Sequence, residues 1–181
     1  MTALIETVRI RNGVAPLWPL HRARLKHSCG VLGIRFPRSL VPPAGGVDRA
    51  WRIEVGTGRP LIGERPLGEL TPVALQTSAM PHPHYPHKTT DRGVLELAAK
   101  QARRAGADDA LLLTADGWVA EGTIWSLLWF EGNRLCAPPL GLGILPGVAR
   151  ARLAELAGGI TERRVPRPAL TGLPLLVANA V

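Results

Sequence analysis

The stretch "DALLLTADGWVAEGTIWSLLWFEGNRLCAPP", residues 109–139, carries the strongest fold signal in the chain. Short runs rich in leucine, valine and tryptophan are interrupted at Asp116-Gly117 and Gly132-Asn133, dipeptides suited to tight turns. This spacing predicts strands that fold back on one another. Downstream, "LPGVARARLAELAGG" (145–159) has Pro146 in a first helical turn and glycines at its end, the punctuation of a helix. Pro166 and Pro168 then break regular structure before "LPLLVANAV" (173–181), read as a terminal strand. Upstream, "DRGVLELAAKQARRAG" (91–106) is an amphipathic helix, with Thr90 or Asp91 as its cap and Gly106 as its stop.

The N-terminal half has its own signals. "LIETVRIRNGVAPLW" (4–18) reads as strand, Asn12-Gly13 turn and strand, a hairpin. "PLHRARLKHSCGVLGI" (19–34) places Leu20, Leu25, Cys29 and Leu32 near helical spacing and ends around Gly33. A Pro/Gly-rich loop at 37–46 leads to the alternating strand "AWRIEVGTG" (50–58), and "TPVALQTSA" (71–79) predicts another strand. The expected division is a small α+β domain over 1–80, a Pro/His-rich linker over 81–87 and a second α+β domain over 88–181.

Composition narrows the class of function. With 46% hydrophobic and 20% charged residues the chain is a globular mixture, and no stretch approaches the roughly 20 apolar residues of a membrane span. Glu6 interrupts the only apolar run near the N-terminus, which makes a poor signal peptide. Cys29 and Cys136 are too few for a disulfide framework, so the cytoplasm is the expected compartment. The net charge of +8 comes almost entirely from arginine, lysine occurring only at 26, 88 and 100. That charge suits an anionic metabolite or simply arginines spread over solvated faces; without zinc-finger spacing, aromatic RNA-binding runs or basic heptads, nucleic acid is not the expected partner.

Between the halves lies "PHPHYPHKTTDR" (81–92). The spacing of His82 and His84, with His87 nearby, is compatible with metal ligands. Pro81, Pro83 and Pro86 prevent a regular strand, however, and no further ligand pair follows, so no metal is expected. Lys88 ends this stiff segment. A lysine held on ordered backbone beside apolar groups can serve carbonyl chemistry, because a depressed pKa frees its amine as a nucleophile.

Taken in order, "IETVRIRNG", "LHRARLKHS", "HKTTDR", "DGWVAE" and "GILPGVARARL" resemble the class IV aminotransferases, enzymes that use pyridoxal 5'-phosphate. The resemblance runs from residue 5 to about 180. It implies a two-part α+β fold of the D-amino acid aminotransferase type, with the cofactor in the cleft between halves, and a homodimer. It also implies roles for single residues. Lys88 carries the cofactor covalently and then moves protons as general base and acid. Glu121, thirty-three residues on, faces the pyridine nitrogen and favours its protonated form. Arg24 and the backbone N–H groups of Val148 and Ala149 bind the phosphate.

Within the family, Gly93 stands where branched-chain aminotransferases usually carry tyrosine, and "HKTTDR", "DGWVAE" and "ANAV" resemble the 4-amino-4-deoxychorismate lyases. That likeness implies release of pyruvate from a small amine substrate to give 4-aminobenzoate for folate synthesis. Arg9 or Arg92 is then the candidate partner of a substrate carboxylate. A transaminase of branched-chain or D-amino acids is the alternative within the fold, and a non-catalytic protein that kept the fold is the alternative outside catalysis. Leu127 replaces a usual asparagine, Ala149 a usual Ser/Thr and Ala180 a frequent hydroxyl. Phosphate binding therefore leans on Arg24 and backbone amides.

Overall fold

Strand β1 (Leu4–Ile10) turns Leu4, Val8 and Ile10 to one side, where helix α1 (Trp18–Val31) lays Leu25 and Cys29 against them. In this computed structural model, residues 2–69 and 71–181 are described. Strand β2 (Arg49–Val55) runs antiparallel to β1 with Trp51 opposite Val8, and adds Trp51, Ile53 and Val55 to the same core. Strand β3 (Leu61–Pro66) completes the order β1-β2-β3 and is exposed along its whole length.

The buried face of α1 is His21, Leu25, Ser28 and Cys29, one stripe at helical spacing. This is rotated from the expected stripe, because Leu32 lies beyond the helix and is exposed. His21 and Ser28 take the inward positions because each finds a polar partner there. Gly33 ends the helix as expected, at φ 65°.

The Asn12-Gly13 turn forms, with φ of 49° and 73°, and Arg11 and Val14 exchange backbone hydrogen bonds of 2.8 and 2.9 Å. The expected second hairpin arm does not. Pro16 has no N–H to extend a ladder, and the side of β1 beyond the turn is taken by β2, whose apolar face completes the core.

The compact units also differ from the expected bounds. One contains 2–69, 87–91 and 180–181; the other contains 71–86 and 92–179. Segment 71–86 goes with the second unit because its strand β4 (Leu75–Thr77) pairs in parallel with β5 (Asp109–Leu113). Helix α2 (Gly93–Arg104) is the crossover between them, as parallel neighbours require. Its inner face, Leu95, Ala98 and Ala102, packs on Ala110, Leu112 and Tyr85. The helix is not capped by Thr90 or Asp91 as predicted. It starts from Arg92 with no side-chain cap, because Thr90 is hydrogen-bonded elsewhere.

Strand β6 (Val119–Gly122) completes the sheet β4-β5-β6. Strands β7 (Ser126–Glu131) and β8 (Arg134–Ala137) form the predicted hairpin at Gly132-Asn133. Helix α3 (Val148–Leu156) follows, with Gly147 as its N-cap residue, so Pro146 precedes the helix instead of opening it. Strand β9 (Thr161–Glu162) and the predicted terminal strand β10 (Leu175–Ala178) give a second sheet, β10-β7-β8-β9. Leu111, Val119, Leu127, Trp129 and Cys136 form the core of this unit. Among the described residues no helix is long and apolar enough to cross a membrane.

Candidate active site

Lys88 lies on a segment fastened to the free edge of β1. Its carbonyl accepts the N–H of Ile5 at 2.7 Å, Thr90 N–H donates to the Ala3 carbonyl at 2.8 Å, and the Thr90 hydroxyl accepts Ala3 N–H at 2.9 Å. Leu4 and Thr89 form an antiparallel bridge, which puts Lys88 opposite Ile5. Opposed residues share a sheet face, so Lys88 shares that of Ile5, Thr7 and Arg9. Arg9 stands four residues along β1 from Ile5, roughly 13 Å at strand spacing. Its Nε is buried with no hydrogen-bond partner among the described residues.

His87, next to Lys88, shares a hydrogen bond of 3.0 Å with Ser28 on α1. Burial, and then the nearby His27 ring, push its pKa below the ordinary imidazole value. Neutral His87 is thus the form that pins this segment to the helix.

Arg24 is not a solvated helix arginine. Its Nε and one terminal nitrogen donate to the two oxygens of Glu6 at 2.9 and 2.7 Å, and His21 Nδ1 lies 2.6 Å from the same carboxylate. Burial alone would raise the pKa of Glu6, but His21 and Arg24 together outweigh it and hold the carboxyl below its ordinary value. The guanidinium is thereby fixed in direction by a fork-shaped ion pair.

Glu121 is the penultimate residue of β6, in the other unit, and is 5% exposed. One of its oxygens, Oε1, accepts His82 Nε2–H at 2.8 Å and the Leu145 N–H at 3.1 Å. Among the described residues, Oε2 accepts none. The turn after Glu121 is held by Asp109, whose carboxylate accepts both the N–H and the hydroxyl of Thr123. Arg92 donates to the Thr123 carbonyl at 2.8 Å and lies over the Tyr85 ring. Arg92 therefore braces the Glu121 turn.

Val148 and Ala149 open α3 and are buried. A β-carbon at Gly147 would overlap the Ser126 hydroxyl, so the glycine lets that side chain reach the helix start. The predicted residues thus fall into two sets: Lys88, Arg24 and Arg9 in one unit, Glu121, Arg92, Val148 and Ala149 in the other. The sequence alone assigns Ser126 and Glu6 no role in the site. The spacing of His82 and His84 had drawn attention only as a metal pattern. Among the described residues no cluster of three or more metal-ligating side chains occurs.

Known structures share this fold over nearly the whole chain. A protein proposed to be an amino-acid aminotransferase, from Mesorhizobium loti, superposes with a TM-score of 0.88 at 25% identity, covering 100% of this chain and 96% of its own. A proposed 4-amino-4-deoxychorismate lyase gives 0.83 at 26% identity, covering 98% and 80%. A hypothetical aminotransferase from Mycobacterium tuberculosis, in a form with pyridoxal phosphate bound, gives 0.85 at 21% identity, covering 98% and 77%. No match is found among curated proteins. The fold is thus that of the class IV aminotransferases. The family model for amino-transferase class IV matches residues 63–172, and the chain belongs to that family.

The family depends on pyridoxal phosphate, which presents an aldehyde, a ring nitrogen and a phosphate. This chain offers a matching group for each. Lys88 supplies an amine on hydrogen-bonded backbone, and Glu121 supplies a carboxylate oxygen without a partner among the described residues. The start of α3 supplies main-chain N–H groups beside a hydroxyl, a favourable anion site. The residues fit the group.

Proposed function

We propose that this chain is a pyridoxal-phosphate-dependent lyase that converts 4-amino-4-deoxychorismate to 4-aminobenzoate and pyruvate. Bound at the site, the cofactor supplies an electron sink for a carbanion next to the substrate nitrogen. Lys88 would hold it covalently, Glu121 would meet the ring nitrogen through Oε2, and Arg24 with the N–H groups of Val148 and Ala149 would hold the phosphate. The Lys88 amine would take the substrate's ring proton and then return it to the departing enolpyruvyl group as its C–O bond breaks. Aromatisation of the ring drives the elimination. Arg9, on the same sheet face as Lys88 and with a buried Nε that has no hydrogen-bond partner among the described residues, is the preferred group for a substrate carboxylate.

The observation that carries the choice of lyase is Gly93. It opens α2 five residues after Lys88, and the space around its β-carbon position is open. The phenol that branched-chain transaminases usually place there is absent. The likeness to a proposed aminodeoxychorismate lyase at 26% identity supports the same choice. The exposed edge strand β3, with Leu61 and Ile62 uncovered, supports a homodimer.

The test is to supply aminodeoxychorismate to the cofactor-loaded protein with no keto acid present. Release of pyruvate and 4-aminobenzoate is expected. If amino acids instead bleach the cofactor band, 2-oxoglutarate restores it and aminodeoxychorismate is untouched, the protein is a transaminase.

A further inference from the structure

His82 is built into the site through Glu121. The His84 main-chain N–H, which can only donate, lies 3.2 Å from His82 Nδ1. Nδ1 is therefore the bare nitrogen, and Nε2 carries the proton given to Glu121 at 2.8 Å. The backbone is bent to achieve this. His84 has φ 54° and is, with Asn12, one of the two non-glycine residues at positive φ among those described. Such a conformation costs about 1–3 kcal/mol and persists only where surroundings impose it. Here they do: Tyr85 N–H bonds the Gly143 carbonyl at 2.7 Å, and Gly143, itself at φ 75°, leaves room for the His84 ring that any β-carbon would overlap. Two residues further on, Leu145 N–H gives Glu121 its second donor.

We propose that His82 is a positioning residue for Glu121. Its Nε2–H and the Leu145 N–H close one carboxylate oxygen and turn the other, Oε2, toward the N–H of a protonated ring nitrogen. The consequence for the cofactor rests on the functional reading above; the coupling of His82 to Glu121 belongs to the cofactor-free chain.

Two measurements separate these. In the cofactor-free protein, nitrogen NMR of labelled histidine should show His82 neutral, with its proton on Nε2, and Glu121→Ala should move that signal. A proton on Nδ1, or a signal indifferent to Glu121→Ala, overturns the proposal. Titration with pyridoxal phosphate then compares His82→Leu with His82→Gln, whose amide can replace the Nε2 donor. His82→Leu should weaken binding about tenfold, the scale of a hydrogen bond to a charged group, and shift the visible band, while His82→Gln recovers most of both. Wild-type affinity and band in His82→Leu, with thermal stability also unchanged, overturns it too. A wild-type chain that takes up no cofactor contradicts the functional reading and the purpose assigned to His82, while the tautomer measurement still decides the coupling.

Discussion

The Ile5 N–H donates to the Lys88 carbonyl at 2.7 Å, so the backbone that carries the lysine is in effect a further strand beside β1. Strand pairing protects its amides from exchange. The Ile5 and Thr90 amides should exchange about a hundredfold more slowly than those of the 37–46 loop. Thr90→Pro, which removes one donor of this ladder, should release Ile5 while Trp51 on β2 stays protected. Fast exchange at Ile5 in the wild type contradicts the clamp.

Glu6 is buried with two cationic or potentially cationic partners, His21 and Arg24. Removing one member of a buried ion pair strands the others, a loss of about 3–5 kcal/mol. Glu6→Ala should lose that much in urea unfolding, and Glu6→Gln less, because its amide oxygen still accepts. A loss under about 1 kcal/mol for Glu6→Ala would show that the ion pair is not holding the unit together.

Acid should weaken the first unit through two groups with the same sign. His87 has a folded pKa below its ordinary 6.5, so its contribution is full above that value and fades as pH falls through it, when the unfolded chain gains the proton first. Glu6, also depressed, adds stability above its ordinary 4.5 that is lost at still lower pH. Unfolding midpoints should therefore decline below about pH 6.5. The decline should be shallower in His87→Gln as the pH falls below 6.5; an identical slope would show that His87 takes no part in it.

Gly143→Ala faces both a left-handed backbone and the His84 ring. A loss of about 2 kcal/mol or more is expected, together with weaker pyridoxal phosphate binding, since His84 orients His82. Gly93→Ala, where space is open, should change neither by comparison. Equal effects at the two glycines would contradict this reading of the loop.

Much of this was legible in the sequence, because local rules and tertiary contacts agreed. The β7–β8 hairpin follows from its turn residues, and α2 from its apolar period and Gly106. Where contacts overrode local preference, the sequence misled. Asn12-Gly13 makes its turn, but β1 takes β2 as partner because Trp51, Ile53 and Val55 fill the core beside it. Strand β3 carries no hydrophobic pattern of its own: its residues are all exposed, and it forms by pairing with β2. The inward face of α1 was misread because His21 and Ser28 are polar, buried only through partners distant in sequence. Lys88 and Glu121 could be named from their motifs. His82 could not, because its partner lies 39 residues away and no local pattern links them.

The measurement closest to the central claim is reductive trapping. The protein would be incubated with pyridoxal phosphate, reduced with borohydride, digested and mapped by mass spectrometry. The chain has lysines at 26, 88 and 100 alone, so the assignment is unambiguous. One modified peptide is expected, carrying the label on Lys88. Label confined to Lys26 or Lys100, or no label in protein saturated with cofactor, would contradict it.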